Sequence, residues 1–474
     1  MSKVKAYNLE GLNLRVSPFI SSLGVFPPNS HEFLRLVNMD ADLIGAKKKR
    51  PGYGTLLTSL GGTIDSLFDW HQQDGTTFNL YAASGGTLYY SSQGTGAWAN
   101  CGNGTFTTGV NLGHAVHDGT LLMVGDGIIN TRHTTNGTSF TDTSGAPKAI
   151  DFQEYQGRMY ALGTSNNLTY ATTGTATDWT TDSASITIPG AGKNLSLMKV
   201  ANRLVATKNS GEMYRWDGYN LYDMSTVLGP TSQASVDQVE NYAFYLNRWG
   251  VYSFNGDSPE IVSNPIKKQI YNDAGSAIQP GTFSNAYSEV HYYNFLLSVG
   301  TVTDDLTKET INNCVLNYDF QLNQWSNYDM GTQITAMESF RDNSGSQTLV
   351  LGDNSGQCYT YGGTYTNDNG LPIQATMEMV FHGQEPAQDK KFNQLWLLFN
   401  PGCQAHVQVA VANTFTKEKL NWIDIGDVSD GYKEFRFPSA TQGRLLFLKI
   451  TETSRNARFV FYGYEIDYDL VVRR

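Results

Sequence analysis

Charged residues are scarce in this sequence of 474 residues: Asp, Glu, Lys and Arg together make up 16% of it, against roughly 25% in an average domain. Long apolar runs are missing as well, since no stretch approaches the roughly 18 consecutive apolar residues of a transmembrane helix. Basic residues are the minority among the charges, and the formal net charge is −11. A general nucleic-acid binder needs a basic face, so this class is not expected, and neither is a membrane-spanning protein.

Cysteine is rare too, with four residues at Cys101, Cys314, Cys358 and Cys403. Their spacing matches no zinc pattern, and isolated cysteines of this kind are usually small buried side chains. His114 and His117 would point to opposite faces of a strand, which makes them a poor metal pair. The sequence also lacks a nucleophile elbow, a phosphate-binding loop, a dinucleotide fingerprint and a His-Glu-x-x-His motif. We therefore predict no catalytic, metal or cofactor site, and a protein that is not an enzyme.

What the sequence does contain favours β-structure. It has 47 glycines, 27 tyrosines and 23 phenylalanines, and aromatic residues and turn formers are typical of strands and tight turns. From about residue 61 to 365, groups of short apolar strands recur at roughly 35–50 residues, the spacing of β-propeller blades. Seven such units begin near residues 64, 114, 150, 195, 236, 287 and 334. Two-residue turns such as Asp118-Gly119, Gln156-Gly157 and Ala201-Asn202 separate their strands.

Both flanks differ from the repeats. Residues 1–60 read as an extended N-terminal arm with a linker, in which Pro27-Pro28 favours extended backbone. Residues 366–474 contain six longer strands and predict a jelly-roll-like β-sandwich. Asn264-Pro265 predicts the start of a short helix. The expected fold is all-β: a six- or seven-bladed β-propeller over 61–365, with an N-terminal arm and a C-terminal β-sandwich.

Two sets of residues allow a second interpretation. Aspartates are frequent in turns, at Asp118, Asp126, Asp257, Asp304, Asp305 and Asp353. Paired carboxylates could hydrolyse a glycosidic bond, although aspartate in turns is expected for backbone reasons alone. Four tryptophans could stack on sugar rings or, as is more common, pack within the blades: Trp98, Trp179, Trp216 and Trp325.

The only dense basic run is Lys47-Lys-Lys-Arg50. It is interpreted as a solvated turn or, functionally, as an anchor to an acidic neighbouring subunit or to a phosphate.

Three motifs near the start of the chain carry a resemblance. They are Gly11-Leu-Asn-Leu-Arg-Val-Ser-Pro18, Leu36-Val-Asn-Met-Asp40 and Gly45-Ala-Lys-Lys-Lys-Arg-Pro-Gly-Tyr53. Their order resembles the opening of tailed-phage virion proteins, in which an arm and an Asn-x-Asp strand precede an Arg-x-Gly-Tyr entry into a propeller. The stretch from Lys391 to Tyr468 is similar to the C-terminal β-domain of those proteins. The overall plan is similar to the packaged-DNA stabilisation and tail-nozzle proteins of short-tailed phages.

This resemblance implies a structural subunit of a bacteriophage tail: a hub, nozzle or stopper ring at the DNA exit channel that retains or conducts the genome. The expected partners are further copies in a symmetric ring, the portal or adaptor, other tail proteins such as fibres, and phage DNA that passes without specific binding. The expected location is the virion tail, after assembly in the host cytoplasm. This agrees with an N-terminus that lacks a signal peptide.

Contacts to neighbouring subunits are predicted at eight residues: Leu12, Leu14, Arg15, Phe19, Lys47, Lys48, Lys49 and Arg50. The alternative function is a carbohydrate-binding or glycan-cleaving tail module for host-surface recognition. It requires a pocket with clustered carboxylates and aromatic rings, whereas a hub requires large subunit interfaces made by residues 1–60 and the sandwich. A cellular kelch-like scaffold is a third hypothesis, which leaves the phage-like arm unexplained.

Overall fold

The computed structural model describes residues 2–11, 32–42, 45–172, 176–270, 283, 285–303, 310–342, 344–381, 388–412, 420–438, 441–452 and 458–471. Their regular secondary structure consists almost entirely of strands. Among them, no helix is long and apolar enough to cross a membrane.

The N-terminal segment contributes five short strands. They are β1 (Ser2–Ala6), β2 (Arg35–Val37), β3 (Met39–Ala41), β4 (Lys47–Lys49) and β5 (Tyr53–Thr55). Four of the five pair with strands from distant parts of the chain, whereas β3 pairs with its sequence neighbour β4.

The first five blades of the propeller follow in chain order as four-stranded antiparallel sheets. Blade 1 contains β6 (Ile64–His71), β7 (Phe78–Ser84), β8 (Thr87–Ser92) and β9 (Ala99–Thr105). Blade 2 contains β10 (Gly113–His117), β11 (Leu121–Gly125), β12 (Arg132–Thr134) and β13 (Thr141–Asp142). Blade 3 contains β14 (Ala149–Tyr155), β15 (Arg158–Gly163), β16 (Asn167–Ala171) and β17 (Ser183–Thr187). Blade 4 contains β18 (Asn194–Val200), β19 (Arg203–Lys208), β20 (Met213–Trp216) and β21 (Leu221–Ser225). Blade 5 contains β22 (Val236–Val239), β23 (Tyr242–Asn247), β24 (Gly250–Phe254) and β25 (Pro259–Ile261).

A helical segment leads out of blade 5. It begins as a 3₁₀ turn at Asn264–Ile266 and continues as α1 (Lys267–Ile270). Another 3₁₀ turn, at Gln233–Ser235, precedes β22. The predicted helix start at Asn264-Pro265 is confirmed, and Ile266 and Ile270 are both buried.

Blades 6 and 7 connect the propeller to the rest of the molecule. Blade 6 contains β26 (Tyr287–His291), β27 (Asn294–Thr303), β28 (Thr310–Asp319) and β29 (Gln324–Asp329). Blade 7 contains β30 (Ile334–Arg341), β31 (Gln347–Asp353) and β32 (Cys358–Tyr361). Its fourth, outer strand is β5, which pairs antiparallel with β32. The N-terminal segment therefore closes the ring, which leaves no open seam between the last blade and the first.

The described residues thus form seven blades, of which six are separate four-stranded sheets and one is the first part of a nine-stranded sheet. Each of the seven repeats read from the sequence corresponds to one blade. Two of the predicted two-residue turns are confirmed, because Gln156-Gly157 and Ala201-Asn202 directly join paired strands, with positive φ angles such as 51° at Gln156. The turn at Asp118-Gly119 is instead part of a three-residue loop, because His117 pairs with Leu121. Two-residue hairpins need this left-handed backbone to match the twist of the strands.

The C-terminal residues form a two-sheet sandwich, as predicted. Its strands are β33 (Ala375–Phe381), β34 (Lys390–Phe399), β35 (Ala405–Ala412), β36 (Ile423–Val428), β37 (Tyr432–Arg436), β38 (Gln442–Gly443), β39 (Leu445–Glu452) and β40 (Val460–Leu470). One sheet has the order β3-β4-β40-β34-β37, with β1 added to β40 and β38 to β34. The other has the order β2-β33-β39-β35-β36 and continues blade 6 through the parallel pairing of β2 with β29. The segment 1–60, predicted as an arm, is therefore shared between the sandwich and the propeller.

Alternation of buried and exposed residues along β34 shows how the sequence specifies the sandwich. Phe392, Leu395, Leu397 and Phe399 are buried. The three-residue step from Phe392 to Leu395 breaks the period of two. A register shift between Phe392 and Gln394 accounts for it, because a β-bulge inserts one extra residue.

A single hydrophobic core runs from the sandwich into the propeller. It joins Phe381 and Tyr468 of the two sandwich sheets to Leu36 of β2 and to Phe295 and Trp325 of blade 6. Since the buried cluster is continuous, the propeller and the sandwich are packed as one unit and not as two domains on a flexible linker.

Candidate functional site

The seven innermost strands of the propeller surround a central channel with a cavity volume of about 530 Å³. Carboxylates line it from five of the seven strands. They are Asp69 on β6, Asp151 and Glu154 on β14, Asp237 on β22, Glu289 on β26 and Glu338 on β30. Among the described residues, Lys199 on β18 is the only lysine or arginine that lines the cavity, and β10 contributes His114. The channel is therefore strongly acidic.

Three of these carboxylates accept backbone hydrogen bonds from the next blade. Asp151 Oδ2 accepts from the Leu197 amide at 2.7 Å, and Glu289 Oε1 accepts from the Ser339 amide at 3.0 Å. Asp237 accepts from the Val290 amide in the same way. Each bond satisfies an inner-strand N–H that faces the neighbouring blade, so the acidic residues hold the ring together.

Four of the channel carboxylates, Asp69, Asp237, Glu289 and Glu338, are close enough for their charges to disfavour further ionisation. Burial, together with the charges of Asp237 and Glu338, raises the pKa of Glu289 well above its ordinary value. Burial also raises the pKa of Glu338, and the charges of Asp69 and Asp237 add to this effect. Burial raises the pKa of Asp151 to about 7 and that of Asp237 to about 6.

These shifts predict an unusual pH dependence. Between about pH 4, where unfolded carboxylates titrate, and about pH 7, the four channel carboxylates with raised pKa values bind more protons in the folded state than in the unfolded state, so their contribution to stability falls as pH rises through this window. We expect Glu338→Gln to raise the free energy of unfolding at pH 8 by about 1–2 kcal/mol. At pH 5 it should have little effect. Urea unfolding at both pH values measures this.

Glu240→Gln is the matched control, because Glu240 is exposed on the turn after β22. It should leave the unfolding curve unchanged at both pH values. An equal response of the Glu338 and Glu240 variants, or no gain at pH 8 from Glu338→Gln, would contradict the assignment of repulsion to the channel.

Two of the turn aspartates, Asp126 and Asp353, have structural roles of the kind that backbone reasons predict. Asp126 Oδ1 accepts the amides of Ile128 and Ile129 at 2.8 and 2.9 Å. Asp353 Oδ1 accepts those of Ser355 and Gln357, both at 2.9 Å. Asp304 and Asp305 lie outside the described residues.

The tryptophans pack within the protein, in agreement with the more common interpretation. Trp179, Trp216 and Trp325 are buried, and Trp98 packs against the core shared by blades 1 and 7. The four cysteines are buried and free, as predicted. Among the described residues, no three His, Cys, Asp or Glu side chains are arranged to hold a metal ion.

The basic run 47–50 is not a solvated turn, so that interpretation is wrong. Lys47 and Lys49 lie on β4, between β3 and β40, and Lys47 and Arg50 are both about 1% exposed. Lys47 Nζ donates to Gln324 Oε1, and Lys49 Nζ forms a 2.9 Å ion pair with Glu452. The acidic partner of Lys49 therefore lies in the same chain.

Arg50 makes the densest set of contacts in this run. Its guanidinium donates to both carboxylate oxygens of Asp368, at 2.9 and 2.6 Å. It also donates to Asn38 Oδ1 at 2.8 Å and to the carbonyl oxygen of Asp329 at 2.7 Å. Arg50 thus links three parts of the chain: the residues just before β5, the end of blade 6 and the connection to the sandwich. Neither this ion pair nor the channel carboxylates were singled out from the sequence.

Of the eight predicted interface residues, Leu12, Leu14, Arg15 and Phe19 lie outside the described residues. Lys47, Lys49 and Arg50 contact other parts of their own chain. Lys48 is partly exposed on β4.

Comparison with known proteins identifies no family for this chain. No protein-family profile matches the chain, and no curated protein matches its sequence. Similar solved structures include Raptor from Chaetomium thermophilum, at 14% identity and a TM-score of 0.44 over 67% of this chain and 29% of that one. YCF48 from Cyanidioschyzon merolae has 11% identity and a TM-score of 0.43 over 65% of this chain and 98% of that one. The designed protein Ika8 has 11% identity and a TM-score of 0.40 over 65% of this chain and 99% of that one. No function is inferred from likenesses this distant.

Proposed function

We propose that this protein is a structural subunit of a bacteriophage tail, in a hub, nozzle or stopper ring that links the portal or adaptor to distal tail parts. The observation that carries the proposal is the continuous core that joins propeller, sandwich and N-terminal strands. A subunit with one continuous core transmits force from one end to the other without a hinge. A tail collar must do the same under the pressure of the packaged genome.

The motifs that resemble phage virion proteins support the same proposal. Asn38 and Arg50 belong to these motifs, and they meet at the junction of sandwich and propeller. Tyr53, the last residue of the third motif, begins the strand that closes blade 7. The resemblance therefore rests on residues that organise this architecture.

Charge is the second support. With a net charge of −11, the protein repels the phosphate backbone, so DNA in a ring of such subunits would slide and not adhere. The propeller channel is on the scale of a small-molecule site, not of a duplex. The path of the genome would follow the axis of the ring and not the propeller channel.

An exposed apolar patch on the first sandwich sheet is suited to a contact between subunits. It consists of Tyr7, Leu398 and Tyr432, which we call the sandwich patch, and all three are between 38 and 60% exposed. Leu398 lies opposite both Tyr432 and Gly463, and a Cβ at Gly463 would touch the Tyr7 ring, so the three side chains are neighbours. Contiguous exposed apolar residues of this kind are typical of interaction sites.

Mass photometry of the full chain, combined with analytical ultracentrifugation at higher concentration, tests the proposal. We expect closed rings with a mass that is a whole multiple of the subunit, and we expect Leu398→Ser/Tyr432→Ser to weaken them. Tyr242→Ser is the control, because Tyr242 is equally exposed but lies on blade 5. A monomer at every concentration would contradict self-assembly, and rings insensitive to the patch variant would contradict this interface.

The N-terminal interface is tested separately. The Phe33 amide donates to the Gly11 carbonyl at 3.1 Å, so the residues that flank segment 12–31 lie side by side and a short glycine linker can replace the segment. If Leu12, Leu14, Arg15 and Phe19 contact a neighbour, this excision abolishes the rings while the subunit stays folded. Rings that survive the excision would contradict that part of the proposal.

A further inference from the structure

A second cavity, of about 630 Å³, lies where blades 6 and 7 meet the N-terminal strands. Four tyrosines line it: Tyr292, Tyr328, Tyr361 and Tyr365. The Tyr328 and Tyr361 rings stack at 6.5 Å between centroids, and Tyr292 is 58% exposed. We call it the tyrosine cavity. Its volume falls in the range of small-molecule sites.

Comparison between the blades shows that Tyr292 is unusual. In blades 2 to 5, the turn between the first two strands contains Asp118-Gly119, Gln156-Gly157, Ala201-Asn202 and Glu240-Asn241, so small or polar residues predominate. In blade 6 the same turn is Tyr292-Tyr293, and Tyr292 has a φ of 52°. This left-handed backbone conformation is strained for a bulky residue. The ring gains little burial in return, although its hydroxyl donates to the Gln347 carbonyl at 3.4 Å beside the cavity.

The charges around the cavity favour a neutral ligand. No lysine or arginine is among the described residues that line it, and burial lowers the pKa of His291 to about 4, so nothing in this lining attracts an anion at neutral pH. Asp40 is the only carboxylate among the same residues; it accepts a hydrogen bond from the Tyr328 hydroxyl. The positive charges of Lys48 and Arg50 act on it and offset its attraction for a cation.

The remaining polar groups can recognise hydroxyls. Asp40 can accept hydrogen bonds, and the side-chain amides of Asn294 and Gln347 can both donate and accept. Neither amide is engaged in a hydrogen bond with another described residue. Aromatic walls with a few polar groups that fix orientation are typical of sites for small amphipathic molecules.

We propose that the tyrosine cavity binds a neutral saccharide unit, with Tyr292 and Tyr365 against its apolar faces and Asp40, Asn294 and Gln347 at its hydroxyls. Binding without hydrolysis is expected, because glycosidases generally need two carboxylates and the lining supplies one. This inference does not depend on the proposed tail function.

The experiment screens the full chain on a glycan array and by saturation-transfer NMR against glucose, galactose, N-acetylglucosamine, lactose and maltose. Sialyllactose and choline serve as charged comparators. For a saccharide that binds, Tyr292→Asn is expected to weaken the affinity about tenfold, because it removes one aromatic wall. Asn tolerates positive φ, so the variant should unfold at the same temperature as the parent or higher.

Tyr219→Asn is the control, because Tyr219 is 88% exposed on a turn of blade 4, away from the cavity. It should leave the affinity unchanged. Tyr365→Ser removes a second aromatic wall of the cavity. The melting temperature of this variant shows whether it is folded. The proposal is overturned if neither the array nor NMR detects a neutral saccharide, if both cavity variants bind as tightly as the parent, or if only the charged comparators bind.

Discussion

Arg50→Met is expected to lower the free energy of unfolding by about 3–5 kcal/mol, which is the usual effect of removing one partner of a buried ion pair. The substitution leaves the Asp368 carboxylate 7% exposed without its counter-charge. It also removes the donors to Asn38 Oδ1 and to the Asp329 carbonyl. Equilibrium urea unfolding, followed by tryptophan fluorescence, measures the change.

Arg436→Met is the matched control. The Arg436 side chain is 82% exposed, and its contact to Glu434 is 3.5 Å long. A surface pair of this kind contributes about 0–1 kcal/mol. The double variant Arg50→Met/Asp368→Leu should recover much of the lost stability, since no charge is then buried alone. If the Arg50 and Arg436 variants were equally stable, the junction would not depend on this ion pair.

Deletion of residues 1–55 should have a still larger effect and yield insoluble or unfolded protein. It removes the outer strand of blade 7, the strands β1 and β4 beside β40, and β2 between β29 and β33. The deletion leaves strand edges open. It also exposes to solvent the core residues that pack against the buried side chains of Phe33, Leu36 and Met39. Solubility on expression, size-exclusion chromatography and near-ultraviolet circular dichroism measure the outcome.

Excision of segment 12–31 is the control for this deletion, because it spares all five strands. That variant should remain soluble and retain the near-ultraviolet spectrum of the parent. A soluble, cooperatively folded protein that lacks residues 1–55 would show that the N-terminal strands are an accessory and not part of the fold.

The sequence was informative wherever local pattern decides structure. Seven strand groups, their tight turns and the longer strands of the sandwich were all readable, because side-chain period and turn chemistry act over a few residues. Pairings between distant segments were not readable. Nothing in Lys47–Arg50 identifies Asp368 as a partner, since the two residues of that ion pair are 318 positions apart. A basic tetrapeptide between glycines therefore resembled an exposed turn.

The channel carboxylates were missed for a related reason. Asp69, Asp237 and Glu338 look like ordinary polar positions within their separate strands. Only ring closure brings them together, so their mutual repulsion is a property of the assembled propeller. An alignment of the seven repeats on their inner strands would have been the signal, because carboxylates recur there from blade to blade.

Because β5 closes blade 7, the order in which the strands are translated differs from the order in which they can pair. β5 leaves the ribosome on the order of 300 residues before β32, its pairing partner, and at typical synthesis rates the interval is roughly 15–60 s. β1 waits longer still, because it pairs with β40 near the end of the chain. The earliest strands to be translated are thus among the last to be hydrogen-bonded, and until then their apolar faces must be kept from other nascent chains.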